Sequence, residues 1–174
     1  MTHPIARSRD EAHLYLDLHP CRTCAGVDTT WEHAVVAVDG EPVARYSGVC
    51  SGCGAQRSHL FGLPEGEVVA ERFPTFGGSE PSQLLDAGEW MWVADLTAGN
   101  VPADDPDAAR QALAIAIASI DEVVKFIPPG EQDVPATAFW TERGKEMRDA
   151  EPGRFTAERL LVVRQTYQRI AERQ

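Results

Sequence analysis

Two short stretches decide how the first third of this chain folds: Cys21-Arg22-Thr23-Cys24 and Cys50-Ser51-Gly52-Cys53. They contain all four cysteines of the 174 residues, and 25 residues separate them. A tight turn in each stretch lets two thiolates bind one ion at adjacent corners of a tetrahedron, and the other turn supplies the remaining corners. The spacing therefore predicts one metal site with four thiolate ligands. These ligands are Cys21, Cys24, Cys50 and Cys53.

The segment between the two cysteine pairs predicts a β-hairpin. Residues 31–38 are rich in strand formers, Asp39-Gly40 is a strong hairpin turn signal, and residues 42–49 can return as the second strand. Residues 56–63 can add a third strand. This order of knuckle, hairpin, knuckle and strand resembles the zinc-ribbon family over residues 19–63 only. The resemblance implies a structural Zn²⁺, although iron also accepts four thiolates, and it leaves the function open because zinc ribbons serve many purposes.

Other chemistries for the cysteines fit the sequence less well. Two disulfides suit a secreted protein, but no secretory signal is visible at the N-terminus. A redox pair needs a strand-to-helix setting, and a catalytic zinc needs an open coordination position that four thiolates close. The stretch Pro20–Cys24 matches half of the zinc-deaminase signature, but no His-x-Glu precedes it. His19, His33 and His59 are interpreted as surface or partly buried side chains, since four cysteines already fill the shell.

Helix signals dominate the remainder of the chain. Capping boxes at Ser8–Glu11 and Asp86–Glu89 predict helices that run to about Leu18 and Ala98. Asp105-Pro106 begins a longer helix, for which the stripe of apolar residues predicts a core-facing side. Further helices are predicted over residues 136–150 and after Thr156. The predicted fold class is α+β: a three-stranded zinc ribbon packed on a mainly helical C-terminal scaffold.

The predicted domain organisation divides the chain near residue 63. An N-terminal helix and the ribbon occupy residues 1–63, and residues 64–174 form a helical region, as one compact unit, whose start is rich in loops. Residues 68–70 suggest a short strand within that start. Two candidate binding regions stay open: the loop at 64–81 and the surface around Trp90 and Trp92. The predicted helix leaves Trp90 either exposed or packed on the ribbon, and the alternative interpretation of both tryptophans is packing in the core.

The charge is strongly acidic and unevenly distributed. The formal net charge is −11. Residues 63–134 hold 3 basic and 14 acidic groups, whereas the segments on either side are almost balanced. Such asymmetry indicates a partner with a basic surface, pairing with the arginines of the last helix, or a solvated acidic face. An acidic chain argues against a phosphate-backbone binder.

These patterns favour a non-catalytic, acidic zinc-binding protein that neutralises or regulates a protein partner. In size and charge alone, such a protein is similar to immunity proteins, whose partners are bacterial toxins. Two alternatives stay open: a nucleic-acid or transcription-associated zinc ribbon, and an enzyme with a structural zinc insert. No P-loop, Gly-x-Ser-x-Gly or His-Glu-x-x-His motif supports catalysis. Because no apolar run reaches the length of a membrane span, we expect a cytoplasmic protein without membrane contact; the oligomeric state stays open.

Overall fold

The computed structural model describes residues 2–66, 69–70 and 72–174. The chain divides into two compact units, an N-terminal unit, Met1–Val69, and a C-terminal unit, Ala70–Gln174. The described residues contain five α-helices and one three-stranded antiparallel sheet, which confirms the α+β class. None of the described helices is long and apolar enough to cross a membrane. The short strand predicted at 68–70 includes Val68, which lies outside the described residues.

The sheet of the N-terminal unit consists of β1 (Glu32–Val38), β2 (Glu41–Val49) and β3 (Gln56–Gly62) in the order β1-β2-β3. The predicted hairpin and third strand are therefore confirmed. Asp39 and Gly40 have φ angles of 52° and 84°, and positive φ at both central residues is the hallmark of a type I′ turn. This turn fixes the register in which Val38 lies opposite Glu41.

Helix α1 (Arg9–Leu18) covers β2 and β3. Its N-cap is Ser8, whose hydroxyl accepts a hydrogen bond from the Glu11 N–H at 3.1 Å, as the capping-box pattern predicts. The rings of His13 and Tyr15 then contact the sheet, with centroids 5.5 Å from Tyr46 and 5.4 Å from Phe61. An aromatic layer therefore fills the space between α1 and the sheet.

The C-terminal unit consists of four α-helices and two short 3₁₀ turns, one before and one after the third helix. The helices are α2 (Ala87–Gly99), α3 (Pro106–Val124), α4 (Glu142–Ala150) and α5 (Ala157–Ala171). Helix α2 packs against α3 and α4, and α3 also packs against α5. Asp86, Asp105 and Thr156 cap three of these helices, as their patterns predict.

Helix α2 buries Trp90 in the core, as one interpretation of its sequence predicts, and α3 buries residues beyond its predicted apolar stripe. Trp90 is fully buried and lies 4.8 Å from Phe76, whereas Trp92 is half-buried beneath the guanidinium of Arg143 at 4.0 Å. The predicted stripe of α3 consists of large apolar side chains, but the buried side of the helix also includes small residues. Its buried residues are Ala109, Leu113, Ala116, Ser119, Ile120, Glu122 and Val123.

A buried carboxylate joins α2 to the start of α4. Asp86 is fully buried and accepts the Glu89 N–H at 2.8 Å on Oδ1. Its Oδ2 accepts the N–H groups of Trp140 and Thr141 at 2.9 and 2.7 Å, together with the Thr141 hydroxyl at 2.8 Å. Four hydrogen-bond donors thus replace the water that the buried Asp86 carboxylate has lost. Through these hydrogen bonds Asp86 holds the start of α2 against the start of α4.

The backbones of α2 and α4 approach closely beside Asp86, and this close packing can be tested by mutation. A Cβ added to Gly144 would collide with the Asp86 carboxylate. We expect Gly144→Ala to lower the free energy of unfolding by about 3 kcal/mol or more, since overpacking displaces a hydrogen-bonded buried charge. Urea denaturation followed by circular dichroism measures the effect. The matched control is Gly153→Ala, whose added methyl meets no atom within 4 Å and should cost less than about 0.5 kcal/mol. Equal effects at both positions would contradict this account.

Candidate metal centre

The four predicted ligands meet at one point of the N-terminal unit. Their sulfur atoms all lie within 4.8 Å of one another. Sγ of Cys21 lies 3.7 Å from that of Cys53, and Sγ of Cys24 lies 3.5 Å from that of Cys50. A tetrahedron with metal–sulfur bonds of about 2.3 Å has edges of about 3.8 Å. The spacing of the sulfurs therefore suits one tetrahedral metal ion.

The two cysteine turns have the same backbone hydrogen bonds. The carbonyl of Cys21 accepts the Ala25 N–H at 2.7 Å, and that of Cys50 accepts the Gly54 N–H at 2.8 Å. Ala25 and Gly54 both have positive φ, at 60° and 75°. Glycine adopts this left-handed conformation readily at position 54, whereas in the first turn an alanine, Ala25, takes it. Each turn thus presents its sulfurs by the same local geometry.

Two glycines leave room for the sulfurs. A Cβ added to Gly26 would lie 3.2 Å from Sγ of Cys24, and one added to Gly52 would lie at the same distance from the same sulfur. These contacts are tighter than ordinary van der Waals separation. A side chain at either position would therefore press on Cys24, one of the two ligands that remain exposed to solvent.

Backbone amides prepare two of the thiols for ionisation. The N–H groups of Cys24 and Thr23 point at Cys21 and lower the pKa of its thiol to about 6. The amides of Cys53 and Gly52 likewise lower the pKa of Cys50. For Cys53 the Ala55 amide also favours the thiolate, but burial and the three neighbouring sulfurs raise its pKa to about 12. Four thiolates at this spacing repel one another, and a bound cation supplies the opposite charge that such a cluster needs.

The histidines near the cysteines belong to the aromatic layer of the N-terminal unit. His19 stacks on Tyr15 with centroids 3.8 Å apart, His33 lies 4.9 Å from Tyr46, and His59 lies 6.0 Å from Tyr15. Among the described residues, the group that can hold a metal contains only the four cysteines. Burial lowers the pKa of His59, and the charge of Arg57 lowers it further. The interpretation of these histidines as surface or partly buried side chains is confirmed.

Arg57 is a structural residue of the site that the sequence does not reveal. It is buried, and its guanidinium donates hydrogen bonds to the Thr29 hydroxyl at 2.8 Å and to the His19 carbonyl at 2.5 Å. The same group lies 4.7 Å from the centre of the Trp31 ring. Arg57 thus ties the chain before and after the first cysteine turn to β3. These partners are distant in sequence, so no local pattern could identify them.

No family model, curated protein or solved structure matches this chain. The function must therefore be argued from the geometry of the site. Four thiolates complete a tetrahedral shell and leave no coordination position for water or substrate. The four-cysteine cluster is compatible with a metal ion, and a donor set of this kind is typical of structural sites.

The donor set can be tested by metal titration. We expect the reduced chain to bind one Co²⁺ with the ligand-field and thiolate charge-transfer absorption of a tetrahedral four-sulfur site, because all four sulfurs lie within bonding reach of one ion. Cys50→Ser should weaken binding by more than about tenfold. Ser51→Ala, which alters an exposed side chain of the same turn, is the control and should bind normally. A spectrum typical of octahedral oxygen ligation would refute the site.

Proposed function

We propose that this chain is an acidic, non-catalytic zinc protein that binds a protein partner with a basic surface and neutralises or regulates it. The observation that carries the zinc assignment is the four-sulfur cluster. Zn²⁺ is the usual occupant of closed four-thiolate sites that serve as structural cross-links. Iron is the alternative ion, and a colourless metal-loaded protein would distinguish zinc from it.

A structural role for the ion follows from the small size of the N-terminal unit. Its core contains few large side chains, among them Leu16, Tyr46 and Phe61, and strand β1 is largely exposed. The core of so small a unit rarely contributes more than about 3–5 kcal/mol, so a metal cross-link adds a large share of the stability. A metal that joins the turn at Cys21 to the turn at Cys50 supplies that cross-link between segments distant in sequence.

The acidic partner surface is supported by where the carboxylates lie. Several acids of residues 63–134 are used within the C-terminal unit: Asp86 and Glu89 are buried, and the Arg154 and Arg164 guanidinium groups bind Asp95 and Asp121. The predicted pairing of the acidic segment with C-terminal arginines is thus confirmed for Arg164. Other carboxylates of this segment are exposed to solvent. They include Glu65, Glu80, Asp104, Asp105, Asp107, Glu131 and Asp133.

Exposed carboxylates in excess over nearby cations attract a basic surface and accelerate its encounter with the protein. A toxin with a basic active surface is a partner of this kind, and binding would act by covering that surface. Such a chain would be an immunity protein, located with its partner in the cytoplasm. The exposed acids support this proposal more directly than a nucleic-acid role, because phosphate backbones require the opposite charge.

The structural role of zinc predicts a local loss of order on metal removal. Treatment of the full chain with a strong zinc chelator should collapse the amide signals of β1, β2 and β3 in ¹H–¹⁵N correlation spectra, because the two cysteine turns lose their cross-link. Signals of α3 serve as the internal reference, and added Zn²⁺ should restore the sheet. Unchanged sheet signals in verified metal-free protein would show that the ion is dispensable for folding.

If exposed carboxylates bind the partner, salt should weaken the binding. Removal of these carboxylates should weaken it more than removal of others. The partner is first recovered by cross-linking in the source cells, then purified. We expect the combined change Glu131→Gln and Asp133→Asn to weaken its binding by at least about tenfold at low salt, mainly through a slower association rate. The matched control removes equal charge from α4, by Glu146→Gln, and from the C-terminal end of α5, by Glu172→Gln, whereas Asp133 pairs with Thr156 at the other end of α5. Calorimetry and stopped-flow kinetics measure both double variants. Equal weakening by the two would contradict binding through the carboxylates that follow α3.

A further inference from the structure

The outer edge of β1 is an unpaired strand edge. The sheet order places β1 at one side, and no other described strand or isolated bridge pairs with that side. Five of its seven residues are exposed, and the side chain of Val35 at its centre is 58% exposed. The strand carries one charge, at Glu32, and its pairing with β2 runs without a bulge. It therefore lacks the lysines, prolines and bulges by which proteins usually protect such edges.

The hairpin turn determines which backbone groups face outward. In a two-residue type I′ hairpin, the residues that flank the turn exchange both hydrogen bonds, and the pattern then alternates along the ladder. Val38 and Glu41 flank this turn. Alternation leaves the N–H and C=O groups of three residues pointing away from β2. These residues are His33, Val35 and Ala37.

We propose that β1 pairs with β1 of a second copy of this chain, antiparallel, about a twofold axis that passes beside Val35. In that arrangement Val35 lies opposite the partner's Val35, and His33 lies opposite the partner's Ala37. All three outward-facing residues meet outward-facing residues, and each pairing exchanges two hydrogen bonds. The two sheets join into one sheet of six strands. This surface is separate from the acidic residues of the proposed function and does not depend on them.

The side chains of the strand are compatible with its own copy. Ala34 and Val36 of each chain face the partner's Val36 and Ala34, so apolar groups meet on one side of the joined sheet. Glu32 lies opposite the partner's Val38, which separates the two like charges by about 20 Å along the strands. The ring contacts that α1 makes reach β2 and β3, at Tyr46, His59 and Phe61, and leave β1 accessible.

The opposite edge of the sheet explains why the assembly closes as a dimer. Gly62 of β3 donates to the Pro4 carbonyl at 2.9 Å and accepts the Ala6 N–H at 3.2 Å. The N-terminal segment thus occupies part of that edge. Pairing through β1 alone consumes the same surface on both chains, which is the closed, isologous arrangement of a twofold dimer.

The first test is the mass of the zinc-loaded full chain in solution. Sedimentation equilibrium between about 1 and 100 µM should give twice the 19.0 kDa of one chain at the upper end. Val35→Pro removes an outward N–H without touching the bonds to β2, and should weaken dimerisation by at least about tenfold. Val35→Thr keeps the N–H and the branched shape, and should dimerise. Bound zinc and the far-ultraviolet spectrum verify that both variants are folded.

A second test fixes the register. A cysteine introduced by Val35→Cys should form a disulfide with its copy, since Cα atoms of a hydrogen-bonded antiparallel pair lie about 5.5 Å apart. Val36→Cys places the two Cα atoms beyond about 7 Å, too far for a bridge, and should stay reduced under the same mild oxidation. The proposal is overturned by a monomer throughout the concentration range, by equal cross-linking of both variants, or by occupation of the edge only by a strand of another protein.

Discussion

Everything in the N-terminal unit depends on the convergence of four sulfur atoms at the end of one hairpin. The two cysteine turns have the same hydrogen bonds, but neither alone can fill a tetrahedral shell. Their meeting depends on the register of β1 against β2, which the positive φ angles of Asp39 and Gly40 set. A slip of one residue would move every side chain of β1 to the other face and carry Cys50 away from Cys21. The geometry of the hairpin turn therefore determines whether the four sulfurs come within reach of one ion.

The sequence predicts this unit well because its determinants are local. The spacing of two cysteine pairs, one Asp-Gly turn and one capping residue each act over a few residues, and the structure contains all of these elements. The residues that hold these local pieces together are harder to find. Arg57 binds Thr29 and His19 and stacks on Trp31, and none of these pairings has a signature at fixed spacing. Only the folded arrangement of the two turns brings them together.

In the C-terminal unit too, the sequence predicts where the helices begin better than it predicts which of their sides are buried. Caps such as Asp86 and Asp105 mark where helices begin. They can be predicted from the sequence because a cap acts only on the first turn of its own helix. The side of a helix that is buried depends on which other segments of the chain pack against it. Gly88 and Gly144 let α2 and α4 approach so closely that no side chain fits between them. That approach places Trp92 beside Arg143 of α4, whereas Trp90 lies on another side of α2 and is buried against Phe76, a choice that periodicity within α2 cannot make.

The acidic charge bears differently on the two proposed associations. Each chain carries a formal charge of −11, so two copies repel one another, and pairing through β1 must overcome that repulsion with main-chain hydrogen bonds and apolar contact. Salt screens the repulsion and favours the dimer. The same salt weakens attraction between exposed carboxylates, such as Asp104 and Glu131, and a basic partner. The two associations therefore respond to ionic strength in opposite directions, because one is opposed by the net charge and the other is driven by it.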